Sequence, residues 1–200
     1  MAKLNDALKR ALDMLVAGFA LAASIPCWLA VGAAILLEDG RPILYRQSRV
    51  GRVGRIFAAY KFRSMIREAE KGSGPRLAAV DDPRITRVGR LLRSTALDEV
   101  PQLLSIFKGD MSWVGPRPER PEFVQRFLRE IPGYHLRHQV RPGLTGVAQV
   151  YGRYHTEAAE KLKYDFYYLR HRSLWLDFRL FVMSWLITSR ARWDSTAAKR

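Results

Sequence analysis

Between Asp13 and Glu38 the chain carries no charged residue. This run, Met14 to Leu37, would extend ~36 Å as a straight helix, against a bilayer hydrocarbon core of ~30 Å. No other segment constrains the fold as strongly, because an apolar stretch of that length must lie in a protein core or in lipid. Length alone permits a span, yet two features oppose a simple one. Pro26 stands in the middle of the run just after Ser24, so a helix loses a hydrogen bond and bends there. The flanks are basic on both sides, with Lys3, Lys9 and Arg10 before and Arg41, Arg46, Arg49, Arg52 and Arg55 after. Positive charge therefore assigns no inner side. A helix that enters a bilayer, kinks at Pro26 and returns to the same face satisfies both facts. A secretory signal is the competing reading, since Ala20-Leu21-Ala22 resembles a cleavage site. The apolar run continues beyond that point, and nothing downstream has the character of an exported chain.

Charge bounds the partner. Against 19 Asp+Glu stand 34 Lys+Arg, a net charge of +15. That balance calls for an anionic partner: nucleic acid, an acidic membrane surface or a phosphorylated substrate. No helix-turn-helix, zinc or base-stacking motif supports nucleic acid. The histidines, His135, His138, His155 and His171, lack metal-ligand spacing. The single cysteine, Cys27, excludes an internal disulfide and reads as packing within the apolar run.

Along the chain, Ile43–Arg46 and Ile56–Phe62 are β-like runs separated by Gly51 and Gly54, which predicts a hairpin. A loop follows over Glu70–Asp82. Arg84–Arg93 predicts an amphipathic helix with Ile85, Val88, Leu91 and Leu92 on one side, suited to an anionic leaflet. Pro121 opens a helix that Ile131-Pro132-Gly133 ends. Arg141 to Gly146 is a turn into a strand over Val147–Tyr151. Helices are expected over Glu157–Arg170 and Ser173–Ser189, the second with Trp175 and Trp185 placed for a membrane interface. The fold class expected is α+β and mainly helical. A kinked re-entrant membrane helix over 1–40 precedes a catalytic domain over 41–190 with a small β-hairpin and interfacial helices around its site. A basic tail occupies 191–200.

The candidate site centres on Asp98-Glu99-Val100-Pro101-Gln102, two adjacent carboxylates inside a strongly basic segment. Asp98 reads as an N-cap, and Pro101 still falls within the first helical turn, where its missing N–H costs nothing. Val100, Leu103, Leu104 and Phe107 then form an apolar stripe. Arg84, Arg87, Arg90, Arg93 and Arg117 flank the pair. An Asp-Glu step at a helix start is ordinarily a surface feature that complements the dipole. Here the density of cations points instead to phosphates handled with a metal. In Gly115-Pro116-Arg117-Pro118, prolines on both sides restrict where the guanidinium points, which suits bidentate phosphate binding.

Taken in order, YRQSRVGR, YKFRSM, DDPRITRVGRLLRSTALDEVPQLLSIFKGDMSWVGPRP, RPGLTGVAQVYGR and YDFYYLRHRSLWLDFRL resemble the bacterial sugar transferases, the monotopic phosphoglycosyl transferases. The resemblance covers nearly the whole chain. It implies transfer of sugar-1-phosphate from a UDP-sugar to undecaprenyl phosphate at the cytoplasmic face of the bacterial inner membrane, with release of UMP. It implies Asp98 as nucleophile and Glu99 as the acidic residue associated with Mg²⁺. Lys61, Arg63, Arg93 and Arg117 match basic positions around the phosphates, and Arg153 a cation linked to the nucleotide sugar. Asp165 and Asp177 match acidic positions without an assigned role. Polyprenyl phosphate, UDP-sugar and membrane lipids are the implied partners, nucleic acid is not one, and a homodimer is left open. The chain departs from the family at Val147, where Trp is usual, and at Tyr151, where Asn is usual. It also places Ile25 between Ser24 and Pro26. The continuation Glu119-Arg120-Pro121-Glu122-Phe123 resembles exopolysaccharide initiators that use hexoses. The non-enzymatic alternative is a membrane-tethered basic module that binds anionic lipid or nucleic acid.

Overall fold

The computed structural model describes residues 6–71, 74, 79, 82–152 and 157–189. Lys3, part of the Glu70–Asp82 loop, Arg153, His155 and the basic tail lie outside them. Two helices come first, α1 (Asp6–Ala23) and α2 (Ile25–Asp39). They meet at Ser24 with a bend of 56°, and neither is long and apolar enough alone to cross a membrane. The break lies two residues before Pro26, which sits in the first turn of α2. Its chemistry is local. A continuing helix would satisfy the Leu21 carbonyl with the Ile25 N–H; here the Ser24 hydroxyl donates to it at 2.9 Å. The Trp28 indole donates in turn to Ser24 Oγ at 3.2 Å.

Both sides of the bend pack on the same body. Ala17, with Ala20 and Leu21 beside it, joins Phe57, Ala59, Leu103, Ile106 and Met111 in one core. Val31 and Ile35 join Phe62 and Leu92 in another. The opposite faces are left apolar and exposed, with Leu15, Phe19, Ile25, Leu29 and Leu37 outward.

The hairpin forms as expected. Strand β1 (Leu44–Val50) pairs antiparallel with β2 (Ile56–Phe62), in the register Tyr45 opposite Lys61 and Val50 opposite Ile56. The next helix, α3 (Arg87–Ser94), starts three residues later than expected, capped by Thr86, whose hydroxyl accepts from the Gly89 N–H. Arg84 precedes it, buried in a two-point pair with Asp82 (2.8 and 2.5 Å). Leu91 is exposed, so only Leu92 of the predicted stripe is fully buried. A 3₁₀ turn, Leu97–Gln102, then runs into α4 (Leu103–Lys108). In α4 the buried apolar residues are Leu103 and Ile106, whereas Phe107 is exposed.

Strand β3 (Ser112–Val114) leads through the proline-rich turn to α5 (Pro121–Glu130), which has the predicted start. After a second 3₁₀ turn, Tyr134–Gln139, comes β4 (Gly143–Thr145), parallel to β3. This pairing brings backbones so close that a Cβ at Gly143 would lie 2.1 Å from the Gly115 nitrogen. Glycine is the residue that fits there. The expected strand over Val147–Tyr151 is a short helix, α6 (Val147–Tyr151). Its two valines, Val147 and Val150, are three apart and both buried against Tyr168 and Leu180, so the apolar period is helical, and the strand starts four residues earlier, at Gly143. Helices α7 (Ala158–His171) and α8 (Leu174–Ser189) close the fold. The described residues are thus mostly helical with two small two-stranded sheets, an α+β arrangement.

Candidate active site

Asp98 and Glu99 sit in the 3₁₀ turn, not at a helix cap: the cap position is Ala96, in the left-handed region at φ 55°. For a residue with a Cβ such a conformation costs about 1–3 kcal/mol and persists only where surroundings enforce it. It turns the chain so that both carboxylates go inward. Asp98 is 7% and Glu99 5% exposed, where a surface pair would be solvated. Pro101 behind them is fully buried.

Each cation reaches the pair for a local reason. Lys61 follows Phe57 and Ala59 on the inward face of β2, since side chains alternate along a strand. Its ammonium donates to Glu99 Oε1 at 2.6 Å and stands 3.6 Å from Asp98 Oδ2. Arg117 takes both oxygens of the same carboxylate, through Nη1 to Oε2 at 3.1 Å and through Nη2 to Oε1. Arg93, in the last turn of α3, adds positive potential at Asp98.

The two carboxylates are driven apart by this arrangement. Burial raises Asp98 to a pKa of about 6; Lys61 opposes the shift and the charge of Glu99 adds to it. Burial also disfavours ionised Glu99, but Arg117 and Lys61 outweigh it and hold that group below the usual carboxylate range. The result is an ionised, neutralised glutamate beside an aspartate whose nearest cation among the described residues, Lys61, stands 3.6 Å away.

Lys61, Arg93 and Arg117 are thus brought to the pair. Arg63 is not. It is buried 24 residues from Asp39 in sequence, donating to the Asp39 and Gly40 carbonyls at 3.0 and 2.7 Å, where it holds the end of α2. Arg84 is taken up by Asp82, and Arg87 and Arg90 are exposed on α3. Arg153 lies outside the described residues. Arg49 and Arg137, which donate to the carbonyls of Pro118 and Arg117, were not singled out as site residues. No local spacing marks them, because each contact spans 20 residues or more. A surface recess of about 210 Å³, lined by Arg55, Tyr60, Ser105, Lys108 and Asp110, includes neither carboxylate. Among the described residues no group of three His, Cys, Asp or Glu side chains is placed to hold a metal ion.

A family model described as bacterial sugar transferase matches residues 4–190. The chain belongs to that family. Among curated relatives of this bacterial sugar transferase is a UDP-N-acetylgalactosamine-undecaprenyl-phosphate N-acetylgalactosaminephosphotransferase of Aeromonas hydrophila. It is 46% identical over 173 residues, covering 85% of this chain and 41% of the relative. A UDP-glucose:undecaprenyl-phosphate glucose-1-phosphate transferase of Escherichia coli (strain K12) is 39% identical over 181 residues, 88% of this chain and 39% of the relative. One of the same description from Caulobacter vibrioides is 42% identical over 180 residues, 88% of this chain and 67% of the relative. The chain spans about two fifths of the length of the first two. These relatives divide over the sugar.

Proposed function

We propose that this bacterial sugar transferase moves sugar-1-phosphate from a UDP-sugar to undecaprenyl phosphate, releasing UMP, through a covalent intermediate on Asp98. The observation that carries the reading is the split between the carboxylates: Glu99 is ionised and clamped by Lys61 and Arg117, while Asp98 faces its cation from 3.6 Å. An oxygen of Asp98 attacks the phosphorus that bears the sugar. The bond from that phosphorus to the UMP oxygen breaks, and UMP leaves with the electron pair. An oxygen of the lipid phosphate then attacks the same phosphorus and the carboxylate departs, giving a polyprenyl diphosphosugar. One difficult exchange becomes two in-line steps.

Attack by one anion on another requires cations at the developing charge. Lys61 and Arg117 are committed to Glu99 before substrate arrives, and a diphosphate offers them stronger charge-assisted bonds. Their transfer to phosphate oxygens frees Glu99, a hard oxygen donor held ionised. Glu99 would then hold Mg²⁺, a cation commonly bound by one or two carboxylates together with substrate phosphates. When bound, it supplies neutralisation of charge on the departing phosphate. Arg93 adds its charge beside Asp98.

The membrane reading follows from the outward apolar residues. Phe19 and Leu29 flank the bend and are 78% and 71% exposed, and Trp175 on α8 is 71% exposed. We assign 1–40, which contains the bent pair Asp6–Ala23 and Ile25–Asp39, to a re-entrant insertion and 41–190 to the catalytic domain on the cytoplasmic face of the inner membrane. Because α1 and α2 both pack on that domain, insertion holds the carboxylates at a fixed depth near the lipid phosphate. The direct test is UMP release with UDP-glucose and UDP-N-acetylgalactosamine in undecaprenyl phosphate vesicles. Turnover with at least one donor, abolished in Asp98→Asn, is expected. Full turnover in that variant removes the covalent route.

A further inference from the structure

The turn Pro116-Arg117-Pro118 is poor in donors, since proline has no N–H. Its three carbonyls are nevertheless all held, each from a different part of the chain. The Gly143 N–H of β4 donates to Pro116 O at 2.9 Å. Arg137 Nη2 donates to Arg117 O at 2.8 Å. Arg49 Nη1 on β1 donates to Pro118 O at 2.8 Å.

The two arginines are themselves fixed. Arg137, 5% exposed, gives Nε to Asp165 at 2.8 Å and Nη1 to the Tyr134 hydroxyl at 2.6 Å, with the Tyr134 ring 5.1 Å away. Asp165 is buried on α7 and has no other assignment. Arg49 also pairs with Gln47. Burying the Arg137 guanidinium and half-burying that of Arg49 is costly, and an apolar filling of the same volume would commonly serve stability as well. Both converge on one turn, Arg137 at the carbonyl of Arg117 and Arg49 at that of Pro118 beside it, and the Arg117 side chain carries the guanidinium that clamps Glu99.

We infer that Arg137, backed by Asp165, and Arg49 are positioning residues that fix Arg117 for the phosphoryl-transfer step. Neither is hydrogen-bonded to the carboxylate pair; Arg137 acts through the Arg117 carbonyl and Arg49 through the carbonyl of Pro118 next to it. The inference rests on the reading of the site given above. It also gives Asp165 a role: it orients the Arg137 fork.

The test is a double-mutant cycle on UMP release by the full-length chain in vesicles. Arg137→Lys keeps a cation for Asp165 but loses the fork, and Arg49→Lys does the same at β1. Each is measured with Arg117 intact and in an Arg117→Lys background. With Arg117 intact, each variant lowers kcat about tenfold while KM for the UDP-sugar moves less than about twofold, in line with a small misplacement of a transition-state group. In the Arg117→Lys background each costs less than about twofold, since a misplaced backbone then has no guanidinium left to misdirect. The thermal midpoints fall equally in both backgrounds. Equal rate losses in both backgrounds, or none in either, overturn the inference. Should Arg137→Lys not fold, Arg49→Lys decides by the same comparison. Failure of the covalent reading is seen separately, as UMP release by Asp98→Asn. If no donor yields UMP at all, both readings fall together.

Discussion

Lys61 and Lys9 each meet two buried carboxylates. Lys61 lies 2.6 Å from Glu99 and 3.6 Å from Asp98; Lys9 lies 2.6 Å from Asp177 and 3.7 Å from Asp13. Burial raises the pKa of Asp98 and of Asp177 alike, with the lysine opposing in each case. A shifted titration therefore does not separate the two clusters. Their remaining neighbours do. Around Lys9 the carboxylates finish on neutral groups fixed in the fold: the Tyr168 hydroxyl is 2.9 Å from Asp177, and the Trp113 N–H donates to Asp13 at 3.3 Å. Those contacts tie α1 to α8, α7 and β3. Around Lys61 the glutamate finishes on a second cation, Arg117, and among the described residues the aspartate meets its lysine only at 3.6 Å. Two cations on one glutamate leave positive charge that suits phosphates, whereas the neutral donors around Lys9 tie helices together.

The sharpest way to break this comparison is to neutralise one aspartate in each cluster. Asp98→Asn is expected to lower UMP release on the order of 10⁴-fold or more, as removal of a nucleophile does. Asp177→Asn should leave turnover of the folded protein within about threefold, a tolerance typical of changes outside the reacting groups. Similar losses in both would erase the distinction. Next in size, Arg117→Ala should cost about 10²–10³-fold in kcat, the usual effect of deleting a charge stabiliser. A loss confined to KM would mean that Arg117 binds substrate without favouring the transition state.

Lys9→Met inverts the pattern. It leaves a buried carboxylate without its cation and should destabilise the fold by about 3 kcal/mol, read from denaturant or thermal unfolding, while the rate of the folded fraction stays near that of the unaltered protein. The smallest effect is in pH. Asp98 must be ionised to attack, and its pKa is about 6. The value of kcat/KM should therefore rise with pH through about 6 and level off above it. Removing the Lys61 ammonium takes away an influence that lowers this pKa, so Lys61→Met should move the limb upward. Asp177→Asn should leave it in place.

Much of the fold was legible because it rests on local signals. The β-like run after Gly54 gives β2 its bounds, Pro121 marks the start of α5, and the charge-free run with Ser24 and Pro26 announces a broken helix. The misreadings share a cause, which is dependence on contacts distant in sequence. The turn residues Arg141 to Gly146 predict a strand over Val147–Tyr151, but pairing with Ser112–Val114 places the strand within that turn, at Gly143–Thr145. The left-handed Ala96 has no glycine to betray it. At the site, motif and charge point to the carboxylate pair and the family resemblance to Lys61, Arg93 and Arg117, which the structure brings to that pair. Arg63, which the resemblance sets among the phosphates, meets the carbonyls of Asp39 and Gly40 instead, and Arg49 and Arg137 carry no local mark of the carbonyls they hold. One arginine in a basic chain looks like another until the carbonyls it meets are known.

The central claim is that Asp98 carries the phosphosugar between donor and lipid. Incubation of the protein with a UDP-sugar in the absence of undecaprenyl phosphate, followed by acid quench and peptide mass analysis, measures it directly. The account predicts a sugar-phosphate adduct on the peptide containing Asp98, discharged when undecaprenyl phosphate is added. An unmodified Asp98 in a preparation that still releases UMP on complete turnover would contradict it.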